Sequence, residues 1–184
     1  MGSEGPSVVT VYVTGFKKFH GVSENPTEVI VGNLKAFMEK RGLPKGLVLG
    51  SCTILETAGQ GALGQLQKVL ESAVIGREKG SSNAGQVIWK VPIVPSDGGI
   101  TQIRETSLPV NEITKTLAKM GYDVVLSDDA GRFVCNYVYY HSLRFAEHHG
   151  IKSLFVHVPL FFTIDEEIHM HFVASLLEVL AASH

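Results

Sequence analysis

The feature that most constrains this chain is the alternation of short β-branched runs with segments that carry apolar residues at helical spacing. The first pair is a predicted strand over 7–15 and a predicted helix over 25–42. The second pair is a strand over 47–55 and a helix over 61–75. The remaining predicted strands are 86–91, 122–127 and 152–160, and the remaining predicted helices are 109–121, 131–149 and 165–182.

Strands that alternate with helices require crossover connections, and such connections join parallel strands. We therefore predict one α/β domain over residues 1–184, a three-layer α/β/α arrangement with a mostly parallel central sheet. Residues 1–6 precede the first strand and are expected to be flexible. In such sheets the functional groups collect at the carboxyl ends of strands and the amino ends of the helices that follow.

Two helices carry signals that predict finer details. Asn25 is placed to cap the first helix, Pro26 suits its first position, and Glu28 stands where a capping box needs an acid. In the last helix the apolar spacing puts Ile168 on the buried face. The histidines expected on solvated helix surfaces are His148, His149, His169 and His171.

Composition and charge argue against several classes of partner. The 184 residues include 16 basic and 18 acidic side chains, with a net charge of −2 and no dense basic run. We therefore expect neither nucleic acid nor a membrane as a partner. Cys52 and Cys135 are too few for a disulfide framework. No targeting segment or bilayer-length apolar run is recognised, so we expect a soluble, cytosolic protein.

A glycine-rich turn and an acidic pair are the first two candidates for chemistry. Gly59, Gly61 and Gly64 spell G-x-G-x-x-G between a strand and a helix, which is the context of a dinucleotide fingerprint. The fingerprint follows the second strand, however, so an ordinary strand-to-helix turn is favoured over dinucleotide binding. Asp128 and Asp129 lack a histidine or third acid at ligand spacing, so helix capping is favoured over a metal site. We predict no cofactor and no metal.

The third candidate is a cysteine paired with a histidine. Cys135 falls in the first turns of the predicted 131–149 helix, where backbone N–H groups and the helix dipole favour a thiolate. His157 lies on the next predicted strand, which can end beside the start of that helix, whereas His141 points away from Cys135. The residues alone leave two readings open, a Cys135–His157 dyad or a packed core cysteine with a structural histidine.

Three motifs resemble those of the pyroglutamyl peptidase I family, which consists of cytosolic cysteine peptidases. The segment "SDDAGRFVCNYVYYHSL" matches the family's nucleophile motif S-x-x-A-G-x-[FY]-[VL]-C-[ND], and "LFVHVP" matches its base motif. "VTGFKKFHGVSENPTEVI" is similar to the family's opening motif. The resemblance runs from about residue 8 to the last helix, and the motif variant is similar to that of plant members.

The resemblance implies an omega peptidase that hydrolyses the amide bond after an N-terminal pyroglutamyl (5-oxoprolyl) residue of a peptide. Cys135 then corresponds to the nucleophile and His157 to the general base. The pyroglutamyl ring is expected to lie among four apolar side chains. These substrate-binding residues are Phe16, Phe19, Phe133 and Val134. The implied partners are pyroglutamylated peptides. A homo-oligomer is possible, but nothing in the sequence supports one.

The chain departs from the family pattern in two places. Lys17 and Lys18 stand where Gly-Pro usually separates the two phenylalanines of the opening motif. An internal segment that includes the family's catalytic glutamate is missing between Lys90 and Val91. No position matches that glutamate; Glu56 and Asp97 are the acids considered as substitutes for it. We therefore predict a peptidase with impaired activity, with a catalytically inactive binding or vestigial protein as the alternative.

Overall fold

A computed structural model describes residues 8–19, 21–74, 92–132 and 134–183. The regular elements in these ranges are strands β1 (Val9–Phe16) and β2 (Leu47–Leu55) and five α-helices. The helices are α1 (Pro26–Arg41), α2 (Gly59–Ala73), α3 (Val110–Lys119), α4 (Val134–His149) and α5 (Glu166–Ala182). A single 3₁₀ turn covers Pro95–Asp97. None of the helices in these ranges has the length and apolar character that crossing a membrane requires.

The chain divides into two compact units. Unit 1 comprises Met1–Leu55, Pro109–Asp128 and His157–His184, and unit 2 comprises Glu56–Leu108 and Asp129–Val156. Unit 1 therefore holds both strands with α1, α3 and α5, and unit 2 holds α2 and α4. Whether the chain forms one domain over 1–184 stays a prediction, and residues 1–6 lie outside the described ranges.

The strands of unit 1 confirm the predicted crossover. β1 and β2 pair in parallel from Val9 opposite Leu47 to Phe16 opposite Leu55, and α1 connects them. The register shifts between Val11 and Tyr12, where Gly50 is the extra residue of β2. A side chain could not occupy this bulge, because a Cβ on Gly50 would come within 2.8 Å of the Tyr12 ring. The predicted α/β class is thus confirmed.

The core of unit 1 lies between the sheet and two helices. α1 contributes three residues that are almost fully buried, and α5 contributes three more against the start of β2. These core residues are Ile30, Leu34, Met38, Leu47, Met170, Ala174 and Leu177. The N-terminus of α1 follows its predicted cap, since the Asn25 side chain accepts the N–H of Thr27 at 3.0 Å. In unit 2, α2 packs against α4.

Two predicted strands are wrong. Residues 122–127 and 152–160 form no strand hydrogen bonds with any described residue, and Val125 in the first of them is 85% exposed. A strand exists only where a neighbouring strand pairs its backbone groups, and β1 and β2 pair only with each other among the described residues. The predicted strand 86–91 lies outside the described ranges.

The first turn of α5 differs from the prediction, whereas Leu176 and Val179 further along the helix are buried. Ile168 is 50% exposed, whereas His169 is 3% exposed and lies with its ring edge against Phe161. The low exposure of His169 places it in the interior rather than on a solvated surface, and its Nδ1 atom lies 3.1 Å from the carbonyl oxygen of Asp165. α5 is apolar over most of its circumference, and such a helix has no single stripe from which its orientation can be predicted.

Gly15 is expected to tolerate no side chain. A Cβ at this position would be forced onto the backbone carbonyl of Thr27, which the helix cannot move aside. We expect Gly15→Ala to lower the free energy of unfolding by about 2 kcal/mol, the usual cost of overpacking. Gly32→Ala is the matched control, because its Cβ would meet only Ile54 Cδ1 at an ordinary 3.8 Å and alanine favours a helix. Urea titrations that gave equal midpoints for both variants would contradict the prediction.

Candidate active site

Cys135 lies in the first turn of α4, the helix that begins at Val134. Its side chain is half-buried and has no disulfide partner in the described structure. Burial raises the pKa of the Cys135 thiol, and a backbone hydrogen bond at the helix start opposes this only in part. The helix terminus therefore does not produce the thiolate that we expected. A cationic partner is needed to lower the pKa.

The predicted partner base belongs to a different unit. His157 is exposed and lies in unit 1, in the irregular segment that replaces the predicted fifth strand. Cys135 and Val134 belong to unit 2. The Cys135–His157 dyad therefore stays a prediction.

The predicted pocket residues are divided in the same way. Phe16 ends β1 in unit 1 and is 9% exposed, and Phe19, three residues later, is 52% exposed. Val134 is half-buried in unit 2, and Phe133 lies outside the described residues. Phe19 is therefore the one aromatic ring of the set that offers solvent a large described surface. A cavity of about 280 Å³ in unit 2 is lined by none of the predicted site residues.

The chain that leads into His157 is held against α4 within unit 2. The Thr106 hydroxyl donates to the Ser153 carbonyl at 2.6 Å, and the Ser142 and Ser153 hydroxyls are 2.7 Å apart. The rings of Tyr139 and Phe155 pack with their centroids 5.4 Å apart. Ser142 and Tyr139 are on the helix that starts with Cys135, so these contacts fix the path of residues 151–156 along that helix.

An ion-pair cluster around Asp97 was missed by the sequence reasoning. The Asp97 carboxylate accepts hydrogen bonds from Arg144 Nε at 2.9 and 3.0 Å, from Arg104 Nη2 at 2.7 Å and from the Tyr140 hydroxyl at 3.2 Å. Glu147 pairs with the other terminal nitrogen of Arg104. The side chains of Asp97 and Arg104 are only 8% and 10% exposed. No local motif announces this cluster, because Arg144 lies 47 residues after Asp97.

The cluster determines the protonation state of Asp97. Burial raises the pKa of this carboxyl, but the hydrogen bonds from Arg144 and Arg104 outweigh burial and lower the pKa to about 2. The carboxylate is ionised at neutral pH, and its oxygens are occupied by two arginines and a tyrosine. Asp97 is thus poorly suited to orient an imidazole, although it was one of the two acids considered for that role.

The histidine on the cysteine helix is not a second base candidate. His141 has its ring centroid 4.7 Å from that of Tyr137, and its Nε2 atom is buried without a hydrogen-bond partner among the described residues. Burial and the nearby Arg144 lower the pKa of His141, while Asp97 raises it in part. His141 is therefore a neutral, packed imidazole at neutral pH.

The two other candidate motifs have local structural roles. α2 begins at Gly59 without a side-chain cap, and the Glu56 N–H before it donates to Gln65 Oε1 at 2.6 Å. Asp129 accepts the N–H of Gly131 at 2.8 Å in the turn that precedes α4, and its role as a cap stays a prediction. The described ranges contain no group of three His, Cys, Asp or Glu side chains that could hold a metal ion.

The chain is similar in sequence to known peptidases. The family model described as pyroglutamyl peptidase matches residues 73–176, a range that includes both Cys135 and His157. The pyrrolidone-carboxylate peptidase of Thermococcus litoralis is 28% identical, and the match covers 89% of this chain and 81% of the relative. The pyrrolidone-carboxylate peptidase of an Enterobacter species is 31% identical, with 81% of this chain and 77% of the relative covered.

The solved structures agree with the relatives. A mutant pyrrolidone carboxyl peptidase from Pyrococcus furiosus has a TM-score of 0.73 and 26% identity, and the match covers 95% of this chain and 98% of that one. The fold and the matched sequence therefore define a hydrolase of the cysteine peptidase class with an α/β fold. Within that class, the chain belongs to the pyroglutamyl peptidase family and is a pyroglutamyl peptidase I-type enzyme.

Proposed function

We propose that this protein removes N-terminal pyroglutamyl residues from peptides, with Cys135 as the nucleophile and His157 as the general base. The observation that carries the proposal is the match of residues 73–176 to the pyroglutamyl peptidase family, since this range contains both residues. The position of Cys135 in the first turn of α4 supports it, because a sulfur there is close to backbone N–H groups.

In the proposed reaction His157 carries a proton twice, first the thiol proton to the leaving amine and then a water proton to the sulfur. His157 takes the thiol proton of Cys135, and the thiolate attacks the carbonyl carbon that joins the pyroglutamyl residue to the peptide. The C–N bond breaks, and the imidazolium protonates the leaving amine. Water, deprotonated by His157, then attacks the thioester and releases 5-oxoproline, while the Cys135 sulfur recovers its proton. The products are 5-oxoproline and a peptide shortened by one residue.

The proposed substrate pocket consists of Phe16, Phe19, Phe133 and Val134. A neutral five-membered lactam can leave water at small cost, whereas a charged N-terminal amine cannot enter apolar surroundings without a large desolvation penalty. The 52% exposure of Phe19 supports the proposal, since this ring is available to a ligand from solvent. Specificity then follows from the absence of charge at the substrate's N-terminus.

We further propose that the activity is lower than that of family members with a catalytic glutamate. Nothing in the chain matches that residue, and Asp97 is held by Arg104 and Arg144. An acid that orients the base histidine is worth on the order of 10⁴-fold in serine peptidase turnover. A cysteine peptidase depends on such an acid less, because a thiol is the more acidic and more nucleophilic group.

The test is release of aminomethylcoumarin from its pyroglutamyl amide by the purified protein, beside the Thermococcus litoralis relative. We expect measurable turnover with kcat/KM at least about tenfold below that of the relative, because no residue of this chain matches the family's catalytic glutamate. Equal kcat/KM values would contradict the impaired activity. A folded preparation without turnover would contradict the peptidase proposal.

The second candidate is a catalytically inactive protein of the same fold, which the raised pKa of the Cys135 thiol favours. Alkylation by iodoacetamide separates the two candidates. Burial raises the pKa of Cys52 as well, so Cys52 is an internal reference for an inert thiol. An active dyad should make Cys135 react faster than Cys52 near pH 7, and His157→Ala should remove that difference. Equally slow reaction of both thiols would support the inactive protein.

A further inference from the structure

Three side chains at the start of α1 hold the backbone of residues 16–18. Thr27 Oγ1 accepts the Phe16 N–H at 2.9 Å and lies 3.3 Å from the Phe16 carbonyl oxygen. Asn25 Nδ2 donates to the Lys17 carbonyl at 3.1 Å. Glu28 Oε2 accepts the Lys18 N–H at 2.8 Å. The segment that joins Phe16 to Phe19 is therefore positioned through its peptide groups.

The contact from Glu28 differs from the one its sequence position predicts. In a capping box this carboxylate would bond back to the N–H of the capping residue, Asn25. Here it reaches across to Lys18, the residue immediately before Phe19. On the other side of Phe19, its carbonyl accepts the Val22 N–H at 3.1 Å. The backbone before the half-exposed Phe19 ring is thus held by the bond to Glu28, and the backbone after it by the bond from Val22.

The hydrogen bond from Lys18 exists because position 18 has an N–H group. A proline there, as in the Gly-Pro of the family motif, would have no N–H and would restrict the backbone through its ring. In this chain the hydrogen bond to the Glu28 carboxylate restricts the backbone at position 18, as the ring of a proline would do in the family motif. The Glu28 carboxylate lies in the first turn of α1, where the helix dipole also favours a negative charge.

We propose that Glu28 is a positioning residue that holds Phe19 for the pyroglutamyl ring through the Lys18 N–H. This inference rests on the proposed function, since it assigns Phe19 to the substrate pocket. A ring held in place by its backbone loses little conformational entropy when a ligand packs against it. Loss of the Glu28 contact should therefore weaken substrate binding and leave the chemical step at Cys135 unchanged.

The test is a double-mutant cycle between Glu28→Ala and Lys18→Pro, read with pyroglutamyl aminomethylcoumarin. We expect Glu28→Ala to raise KM about fivefold, which corresponds to roughly 1 kcal/mol, with kcat within about twofold. In the Lys18→Pro background the same change should alter KM less than about twofold. Proline has no N–H, so the hydrogen bond to Glu28 is already absent there. Glu28→Gln keeps an acceptor and should largely restore KM.

The control is Glu24→Ala, which removes an exposed negative charge just before the same helix and should leave KM unchanged. An unchanged KM in Glu28→Ala overturns the inference, and so does an equal rise in both backgrounds, which indicates an effect of charge on the helix. If Lys18→Pro does not fold, recovery of KM in Glu28→Gln supports the inference and its failure to recover overturns it.

A wild-type protein without turnover would defeat the proposed function but would not by itself decide this inference. Calorimetric titration with free 5-oxoproline then replaces KM. A fivefold weaker affinity in Glu28→Ala that disappears in the Lys18→Pro background supports the positioning role. Equal affinities, or no binding by the wild-type protein, overturn it.

Discussion

Replacing Cys135 with alanine is expected to abolish the release of aminomethylcoumarin from its pyroglutamyl amide. The sulfur is the only protein atom that the proposed cycle bonds to the acyl carbon, so no acyl-enzyme can form without it. Loss of a nucleophile of this kind lowers turnover by about 10⁶-fold in subtilisin, which places the variant below detection. The fold should survive, because Cys135 is only half-buried.

Cys52→Ala is the matched control for this prediction. Cys52 is the second free thiol, half-buried in β2 and packed against the core of unit 1. We expect this variant to keep kcat/KM within about twofold of the wild-type value, because Cys52 is a small side chain with no part in the proposed reaction. Thermal unfolding of both variants verifies that each is folded. Full activity in Cys135→Ala would exclude Cys135 as the nucleophile.

The second large effect concerns stability rather than catalysis. Asp97→Asn is expected to lower the free energy of unfolding by about 3 kcal/mol, the lower end of the cost of breaking a buried ion pair. Asparagine removes the charge that compensates the guanidinium of Arg104, whose side chain is 10% exposed. Arg144 is 37% exposed and Glu147 remains beside Arg104, which limits the loss.

The contribution of Asp97 should depend on pH in one direction. Its pKa in the folded protein, about 2, lies below the ordinary value of about 3.9 expected in the unfolded chain. Folding is therefore favoured by this group above about pH 4, and the benefit is lost as the pH falls from about 4 to about 2. Urea unfolding of wild type and Asp97→Asn should thus differ most at neutral pH and converge in this acidic range.

Asp128→Asn is the matched control, since Asp128 is an exposed aspartate for which no hydrogen bond or ion pair is found in the described structure. We expect it to change the free energy of unfolding by less than about 0.5 kcal/mol at neutral pH. If the difference in unfolding free energy between wild type and Asp97→Asn did not change with pH, the arginines would not lower the pKa of Asp97 as we expect. Equal stability of the two would contradict the role of the cluster.

Local signals in the sequence were sufficient for the elements with complete end signals. Asn25, Pro26 and Gly42 delimit α1 to within a residue of the prediction, because a cap, a fixed backbone angle and a helix stop all act within one turn. β2 occupies the predicted residues, because its apolar run pairs with β1 along its whole length. The family could also be predicted from short segments, because the motifs around Cys135 and His157 each span only a few residues.

Other features depend on contacts that no local segment encodes. Residues 122–127 and 152–160 have strand composition but no strand partner among the described residues, because pairing depends on a neighbour elsewhere in the chain. The orientation of α5 buries His169 and exposes Ile168, since packing rather than an apolar stripe orients a helix that is apolar on most sides. The Glu28 carboxylate binds the Lys18 N–H because β1 ends beside the start of α1.

The amino-acid sequence was enough to predict the α/β class, both described strands, the five described helices and the family to which the chain belongs. Short-range forces are enough for these, since caps, propensities and motifs act over a few residues. The folded structure was needed to show that Arg104 and Arg144 hold Asp97 and that burial raises the pKa of the Cys135 thiol. Burial and charge pairing depend on groups far apart in the chain, and folding alone brings those groups together.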